Sequence, residues 1–137
     1  MARKSRKLQT VALPHPHSET AGYIRLSVTG KGGDDSIENQ KKIIEVWGQE
    51  NQHPILRWYI DAGWSGRTFD RPMFQKLIAD IERGEVDCVV VKDLSRLGRD
   101  RIAVGYYLEV FFPMNCVRFV SINDDFDTVN GLTDQSH

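Results

Sequence analysis

The segment from Val86 to Val91 is almost entirely apolar, and its apolar residues do not alternate with polar ones. This pattern is typical of a strand that is covered on both faces of its sheet. It follows a helix pattern over Phe74 to Ile81 that ends at Gly84, with apolar residues at the i, i+3, i+4, i+7 spacing of one buried face. The chain is therefore expected to be an α/β fold with helices on both faces of a central sheet.

Three further strands are predicted from runs of apolar, aromatic and β-branched residues. They are Ala21 to Leu26, Ile55 to Ile60 and Val117 to Ile122. Glycine-rich stretches at 29–35 and 61–68 follow the first two strands and are expected to be loops. Because strands alternate with helices, the sheet is predicted to be mostly parallel, with four to five strands in a three-layer sandwich.

Three helices are predicted, each from a capping residue followed by an apolar face. Asp35 or Ser36 opens the first, Asp70 the second and Asp100 the third. The first is expected to end near Asn51 or Gln52. The third is expected to end at about Phe112, because Pro113 follows and removes a helical hydrogen bond.

The composition, 137 residues with 40% hydrophobic and 27% charged, fits one soluble domain. No run is apolar enough for a membrane span or a signal peptide, so a cytoplasmic protein without a membrane partner is expected. Residues 1–20 are predicted to be a basic, disordered leader, 21–127 the folded domain and 128–137 a polar stub. Cys88 and Cys116 lie in apolar surroundings and are expected to be buried thiols, with no metal or disulfide.

The formal net charge of −1 conceals an uneven distribution. Of the 18 basic residues, four lie in the first seven positions, which leaves 14 against 19 acidic residues in the rest. The basic arm either solubilises the chain or adds phosphate contacts of low specificity. Contact between the main body and a nucleic acid must therefore come from a local cluster.

The strongest local cluster is Lys92 to Arg101, with four basic and two acidic residues in ten. Arg96 and Arg99 stand three apart at a strand-to-helix transition. A surface ion pair would account for the presence of any one of these arginines, but it accounts less well for several of them together. Since guanidinium groups bind phosphate oxygens bidentately, the cluster predicts a phosphate site.

A second polar set ends the first strand. Alternation places Tyr23, Arg25 and Ser27 on one face, which is expected to point at a site, while the opposite aliphatic face points at a core. If the first and third strands are neighbours, their carboxyl ends bring this set to the Lys92 to Arg101 cluster. Ser27 is then a candidate nucleophile, since a hydroxyl needs activation and its transition state needs positive charge.

Four motifs in order resemble the catalytic domain of the serine site-specific recombinases, the resolvase and invertase family. They are Gly22 to Ser27, Ser36 to Gln40, Asp70 to Pro72 and Asp93 to Asp100. The resemblance spans about 21–126. The amino-acid sequence of residues 91–99 and the long glycine-rich loop are most similar to those of the large serine recombinases of conjugative and mobilisable transposons.

The resemblance implies site-specific DNA recombination without metal, ATP or another cofactor. Ser27 would attack a phosphodiester of double-stranded DNA, forming a 5′-phosphoserine link and releasing a 3′ hydroxyl. Arg25, Arg96 and Arg99 would surround the phosphate, Arg71 would approach from the second helix, and Gln40 would orient the phosphate or the loop that carries Ser27. Self-association is also implied, from a dimer to a synaptic tetramer in a longer protein, of which these residues are expected to be a weakly active catalytic fragment.

One position departs from the family pattern. Many members have an aspartate directly before the arginine matched by Arg96, whereas this chain has Ser95, with Asp93 two residues earlier. Asp93 is a candidate for the orienting role, and the general base for Ser27 stays open. The alternative function is a non-catalytic binding or regulatory domain that contacts partners through Trp47, Trp58 or Trp64.

Overall fold

The structure is a computed structural model that describes residues 19–27, 36–64, 71–98 and 100–129. Their strands form one five-stranded sheet in the order β2-β1-β3-β4-β5. The strands are β1 Glu19–Ser27, β2 Ile55–Trp64, β3 Val86–Val91, β4 Arg118–Ser121 and β5 Phe126–Asp127. The first four are parallel and β5 is antiparallel to β4. The predicted α/β class and mostly parallel sheet are confirmed.

Helices cover both faces of the sheet. They are α1 Ile37–Glu50, α2 Pro72–Glu82, α3 Arg101–Tyr106 and α4 Phe112–Met114, with a 3₁₀ turn at Leu94–Leu97 and a π-helical segment at Tyr107–Phe111. On one face, Ile44 of α1 packs with Ile24 and Val90. On the other face, Phe74 of α2 and Phe112 of α4 pack with Val89. No helix in the described ranges is long and apolar enough to cross a bilayer.

The interior strand β1 is buried on both faces, although its polar face was predicted to point at a site. Tyr23 and Ile24 lie on opposite faces, and both are fully buried. A Cβ at Gly22 would lie 2.6 Å from the Trp58 ring, so only glycine allows this approach. Arg25, nearer the end of the strand, is half-buried.

Several predicted boundaries move. The first strand begins at Glu19 rather than Ala21, inside the predicted leader; residues 1–18 lie outside the described ranges. The second strand continues to Trp64 through residues predicted to be a loop, because its backbone pairs with β1 as far as Ser27. Cross-strand pairing thus overrides the local glycine signal. The predicted loop at 29–35 lies outside the described residues.

The helix starts are also decided by the structure. Ser36 caps α1, accepting from the Asn39 amide at 3.0 Å, which settles the alternative with Asp35. The N-cap of α2 is Arg71 and not Asp70, which lies outside the described residues. Asp100 caps α3 as predicted.

Pro113 does not end the third helical stretch, contrary to prediction. The Phe112 amide donates to the Tyr107 carbonyl, five residues back, as in a π-helical turn. Since this wider turn directly precedes the proline, the chain remains helical through Pro113 to Met114. Cys88 is buried as predicted, whereas Cys116 is exposed in a turn with φ of 58°.

Candidate active site

The carboxyl ends of β1 and β3 lie side by side, as the predicted site requires. β1 lies between β2 and β3, with Gly22 in register with Val90. Beyond that pair, β1 continues to Ser27, while β3 ends at Val91 and leads into the basic segment. The hypothesis that two distant polar clusters converge is therefore supported by the strand order.

One main-chain oxygen is the centre of this cluster. The carbonyl of Arg25 accepts a hydrogen bond from Nη1 of Arg96 at 2.7 Å. It also accepts one from Nε2 of Gln40 at 3.3 Å. Gln40 is fully buried and Arg96 is 9% exposed. Side chains from α1 and from the 3₁₀ turn thus hold the backbone of β1 two residues before Ser27.

Asp93 holds the other side of Arg96. Its Oδ2 accepts from Nη2 of Arg96 at 3.2 Å. Its Oδ1 accepts from the Ser95 amide at 3.1 Å and also from the Ser95 hydroxyl. The Asp93 carboxylate is therefore both the cap of the 3₁₀ turn and the counterion of Arg96.

Arg71 joins the cluster from the start of α2. Its Nη1 donates to the main-chain carbonyl of Arg96 at 2.9 Å. Its guanidinium carbon lies 4.3 Å from the ring centroid of Phe74, within the range of a cation–π contact. A second guanidinium is thus placed next to the segment that carries Arg96.

Asp61 is a site-forming residue that the sequence analysis did not single out. It stands opposite Arg25 in the β1–β2 register and is 5% exposed. Its carboxylate accepts from the amides of Met73 and Phe74, each at 3.0 Å, and from the Tyr23 hydroxyl at 2.8 Å. The sequence signal that could have identified Asp61 is its position, because it is a carboxylate at the end of an apolar strand.

These contacts of Asp61 tie the start of α2, and with it Arg71, to the sheet. Burial raises the pKa of Tyr23 well above its ordinary value, and the hydrogen bond to Asp61 raises it further. Tyr23 therefore stays a neutral hydrogen-bond donor to the carboxylate.

The structure brings together four of the six predicted site residues: Arg25, Gln40, Arg71 and Arg96. The backbone of Ser27 ends β1 beside them, while its side chain and all of Arg99 lie outside the described residues. Among the described residues, no three histidine, cysteine or carboxylate side chains come together as metal ligands.

The sheet, its two helical layers and the arginines gathered at the end of β1 define the class of resolvase-like α/β catalytic domains. The family "Resolvase, N terminal domain" matches residues 20–135, and the chain belongs to this family.

Solved structures agree with this assignment. The N-terminal catalytic domain of TP901-1 integrase is 33% identical over 82% of this chain and 83% of that one, with a TM-score of 0.73. A resolvase family site-specific recombinase from Streptococcus pneumoniae is 28% identical over 80% and 75%, with a TM-score of 0.69. The C-terminal catalytic domain of ISC1926 TnpA, an IS607-like serine recombinase, shares the fold at 22% identity over 76% and 67%, with a TM-score of 0.62. A comparison with curated protein sequences found no match.

Proposed function

We propose that this chain cuts and rejoins double-stranded DNA through a covalent phosphoserine at Ser27. The observation that carries the proposal is the Arg25 carbonyl held by Arg96 and Gln40, two residues before that serine. The proposal is supported further by Arg71, whose guanidinium group donates to the main-chain carbonyl of Arg96. Residues 21–127 are the catalytic domain in this proposal.

The proposed cleavage is a phosphoryl transfer to a hydroxyl. The Ser27 hydroxyl loses its proton as its oxygen bonds to phosphorus. The bond from phosphorus to the 3′ oxygen breaks, and that oxygen takes up one proton and leaves as a 3′ hydroxyl. Rejoining is the reverse, with a 3′ hydroxyl attacking the phosphoserine and releasing Ser27. Since each step exchanges one phosphoester bond for another, rejoining needs no nucleoside triphosphate as an energy source.

The arginines supply the positive charge that such a transition state needs. Charge develops on the phosphoryl oxygens, and preorganised guanidinium groups stabilise it without reorganisation. Arg71 and Arg96 are already oriented by main-chain carbonyls at 2.9 and 2.7 Å. We assign Arg25, Arg71, Arg96 and Arg99 to the phosphate, with Gln40 as the residue that orients the backbone before Ser27.

The test is a covalent trap. Each duplex in a pool of randomised sequences carries one 3′-bridging phosphorothiolate. Cleavage then releases a 3′ thiol in place of a hydroxyl. Because the thiol attacks phosphorus poorly, the reverse reaction is slow and the covalent adduct accumulates. We expect an adduct that survives denaturation, maps to Ser27 by mass spectrometry and is absent in Ser27→Ala. Ser36→Ala, which removes a serine at the N-cap of α1, is the matched control and keeps the adduct. Failure of bound duplexes to react, or an adduct that persists in Ser27→Ala, contradicts the proposal.

The contacts of two tryptophans weigh against the alternative of a non-catalytic binding domain. The ring of Trp58 packs against Gly22, and Trp47 packs in the cluster around Ile44. Both rings therefore have structural roles. Trp64 is described only in its backbone, as the last residue of β2. The covalent trap discriminates the two functions, because a binding domain forms no adduct.

A mobile-element role and self-association complete the proposal. The 33% identity to the catalytic domain of an integrase favours integration or excision of an element as the reaction.

For self-association, the described surface offers a row of exposed apolar side chains along α3, the π-helical segment and α4. These are Ile102, Tyr106, Val110 and Met114, spaced by four residues. Sedimentation velocity of Ile102→Lys, whose side chain is 85% exposed in the parent, tests the row: it should shift any dimer toward monomer.

The 137 residues alone are expected to bind DNA weakly. Their net charge is −1, so few counterions are released from DNA outside the local arginine cluster. Fluorescence anisotropy with the duplex pool measures this affinity. Tight binding that resists salt would contradict the expectation.

A further inference from the structure

The two oxygens of the Asp93 carboxylate have different partners. Oδ1 accepts from the amide and hydroxyl of Ser95, which closes the start of the 3₁₀ turn. Oδ2 accepts from Nη2 of Arg96 at 3.2 Å. The Ser95 hydroxyl, itself exposed, donates to the carboxylate and so fixes its orientation.

Arg96 is therefore held at two points of its fork. Nη2 is held by the carboxylate within its own turn, and Nη1 by the Arg25 carbonyl, 71 residues away. The fork is planar and rigid, and its third nitrogen is tethered to the side chain, so holding the other two fixes the plane of the whole group. The side chain of Asp93 is 25% exposed and that of Arg96 is 11% exposed, so the pair lies largely away from water.

We propose that Asp93 is the positioning residue that sets the guanidinium plane of Arg96 for the phosphate, a role that the family resemblance implies for an aspartate at position 95, where this chain has Ser95. The inference rests on the proposed function of the site. Moving the carboxylate two residues earlier leaves it within hydrogen-bond reach of the same arginine, because the 3₁₀ turn brings residues three apart together. Ser95 becomes the donor that orients the carboxylate.

A second carboxylate separates this role from simple support of the turn. Asp124 accepts from the Leu94 amide at 2.7 Å and from the Ser121 hydroxyl at 2.7 Å. It thus stabilises the same turn from the β4–β5 connection, and its hydrogen bonds go to Leu94 and Ser121 rather than to Arg96. Asp124→Asn is therefore the matched control for Asp93→Asn.

The substitution Asp93→Asn is chosen because asparagine caps a helical turn about as well as aspartate. It can still accept from the Ser95 amide but carries no charge for Arg96. The single-turnover rate of adduct formation on the phosphorothiolate duplex pool is measured across DNA concentrations. We expect the rate at saturating DNA to fall about 100-fold, because a misplaced group costs that much, while the half-saturating concentration stays within about twofold.

Two further variants complete the test. Asp124→Asn is expected to keep the rate within about threefold, since Arg96 retains its contacts with Asp93 and with the Arg25 carbonyl. Adding Ser95→Asp to Asp93→Asn returns a carboxylate beside Arg96 and is expected to recover at least about tenfold of the lost rate. An Asp93→Asn rate equal to the parent, or equal losses in Asp93→Asn and Asp124→Asn, overturns the inference.

A measurement without DNA separates this inference from the proposed function. Nitrogen-15 NMR of the arginine side chains reports rotation of each guanidinium group. We expect Arg96 to rotate slowly in the parent and in Asp124→Asn, and faster in Asp93→Asn. Should the parent form no adduct, the proposed function fails whatever the spectra show. If the parent reacts but Arg96 rotates equally in all three proteins, the inference fails alone.

Discussion

The Arg96 guanidinium donates to the main-chain carbonyl of Arg25 at 2.7 Å across 71 residues of sequence. This single bond ties the turn after β3 to the end of β1. Gln40, from α1, donates to the same oxygen. On the side of β3, the end of β1 is therefore positioned by side chains beyond the last backbone pair, Gly22 with Val90.

Arg96→Lys tests this tie. A lysine ammonium has one nitrogen and cannot reproduce the fork that reaches the Arg25 carbonyl and Asp93 together. Because the site is nearly buried, we expect the free energy of unfolding to fall by about 1–3 kcal/mol. Urea unfolding measures it. Equal stability of the two proteins would show that the bond contributes nothing to the fold.

Gly98 ends the 3₁₀ turn with φ of 130° and ψ of 174°, a region open almost only to glycine. Gly98→Ala is expected to lower the free energy of unfolding by about 1–3 kcal/mol. The matched control is Gly105→Ala in α3, where an added Cβ meets nothing within 4 Å. That substitution is expected to raise stability by about 0.5–1 kcal/mol, since alanine favours a helix. Thermal melts that rank the two variants the other way would contradict this argument.

Asp61 supports the start of α2 and the buried Tyr23 hydroxyl. Asp61→Ala removes the acceptor of three hydrogen bonds, so we expect a loss of about 2–4 kcal/mol in the free energy of unfolding. Tyr23→Phe removes one of the three and is expected to cost about 1 kcal/mol. Denaturant titration compares them. A larger effect of Tyr23→Phe than of Asp61→Ala would disprove the ranking.

Glu85 provides a pH-dependent contribution at the amino end of the sheet. Hydrogen bonds from Arg83 and then Arg57 hold the pKa of this carboxyl below its ordinary value of 4.5. A lowered folded-state pKa means that the carboxylate stabilises the fold above about pH 4.5, and that this stabilisation disappears as the pH falls through the lower value. Glu85→Gln is therefore expected to be less stable than the parent at neutral pH and equally stable in strong acid. A difference that grows on acidification would have the wrong sign.

The two cysteines should react at very different rates. Burial raises the pKa of the Cys88 thiol to about 12, so little thiolate exists near neutral pH. Cys116 is exposed. Iodoacetamide at mildly alkaline pH is expected to modify Cys116 first and Cys88 only after unfolding, as read by peptide mass spectrometry. Rapid labelling of Cys88 in folded Cys116→Ser would be inconsistent with its burial.

Much of the fold could be predicted because its signals are local. The apolar run Val86–Val91 became the buried strand β3, and the spaced apolar residues of 74–81 became α2. The wrong predictions concern segments whose structure depends on partners that are distant in sequence. β2 extends past its predicted end because β1 pairs with it, and the helical stretch passes Pro113 after a π-helical turn.

The sequence by itself determined the α/β class, the order of its elements and a group of candidate residues, because hydrophobic periodicity and motif spacing are properties of short segments. Only the tertiary structure decided that Arg25, Gln40, Arg71 and Arg96 meet, that Asp61 ties α2 to the sheet, and that Asp93 is the counterion of Arg96. These contacts depend on strand order and side-chain direction. Both are set by packing among segments that lie far apart in the chain.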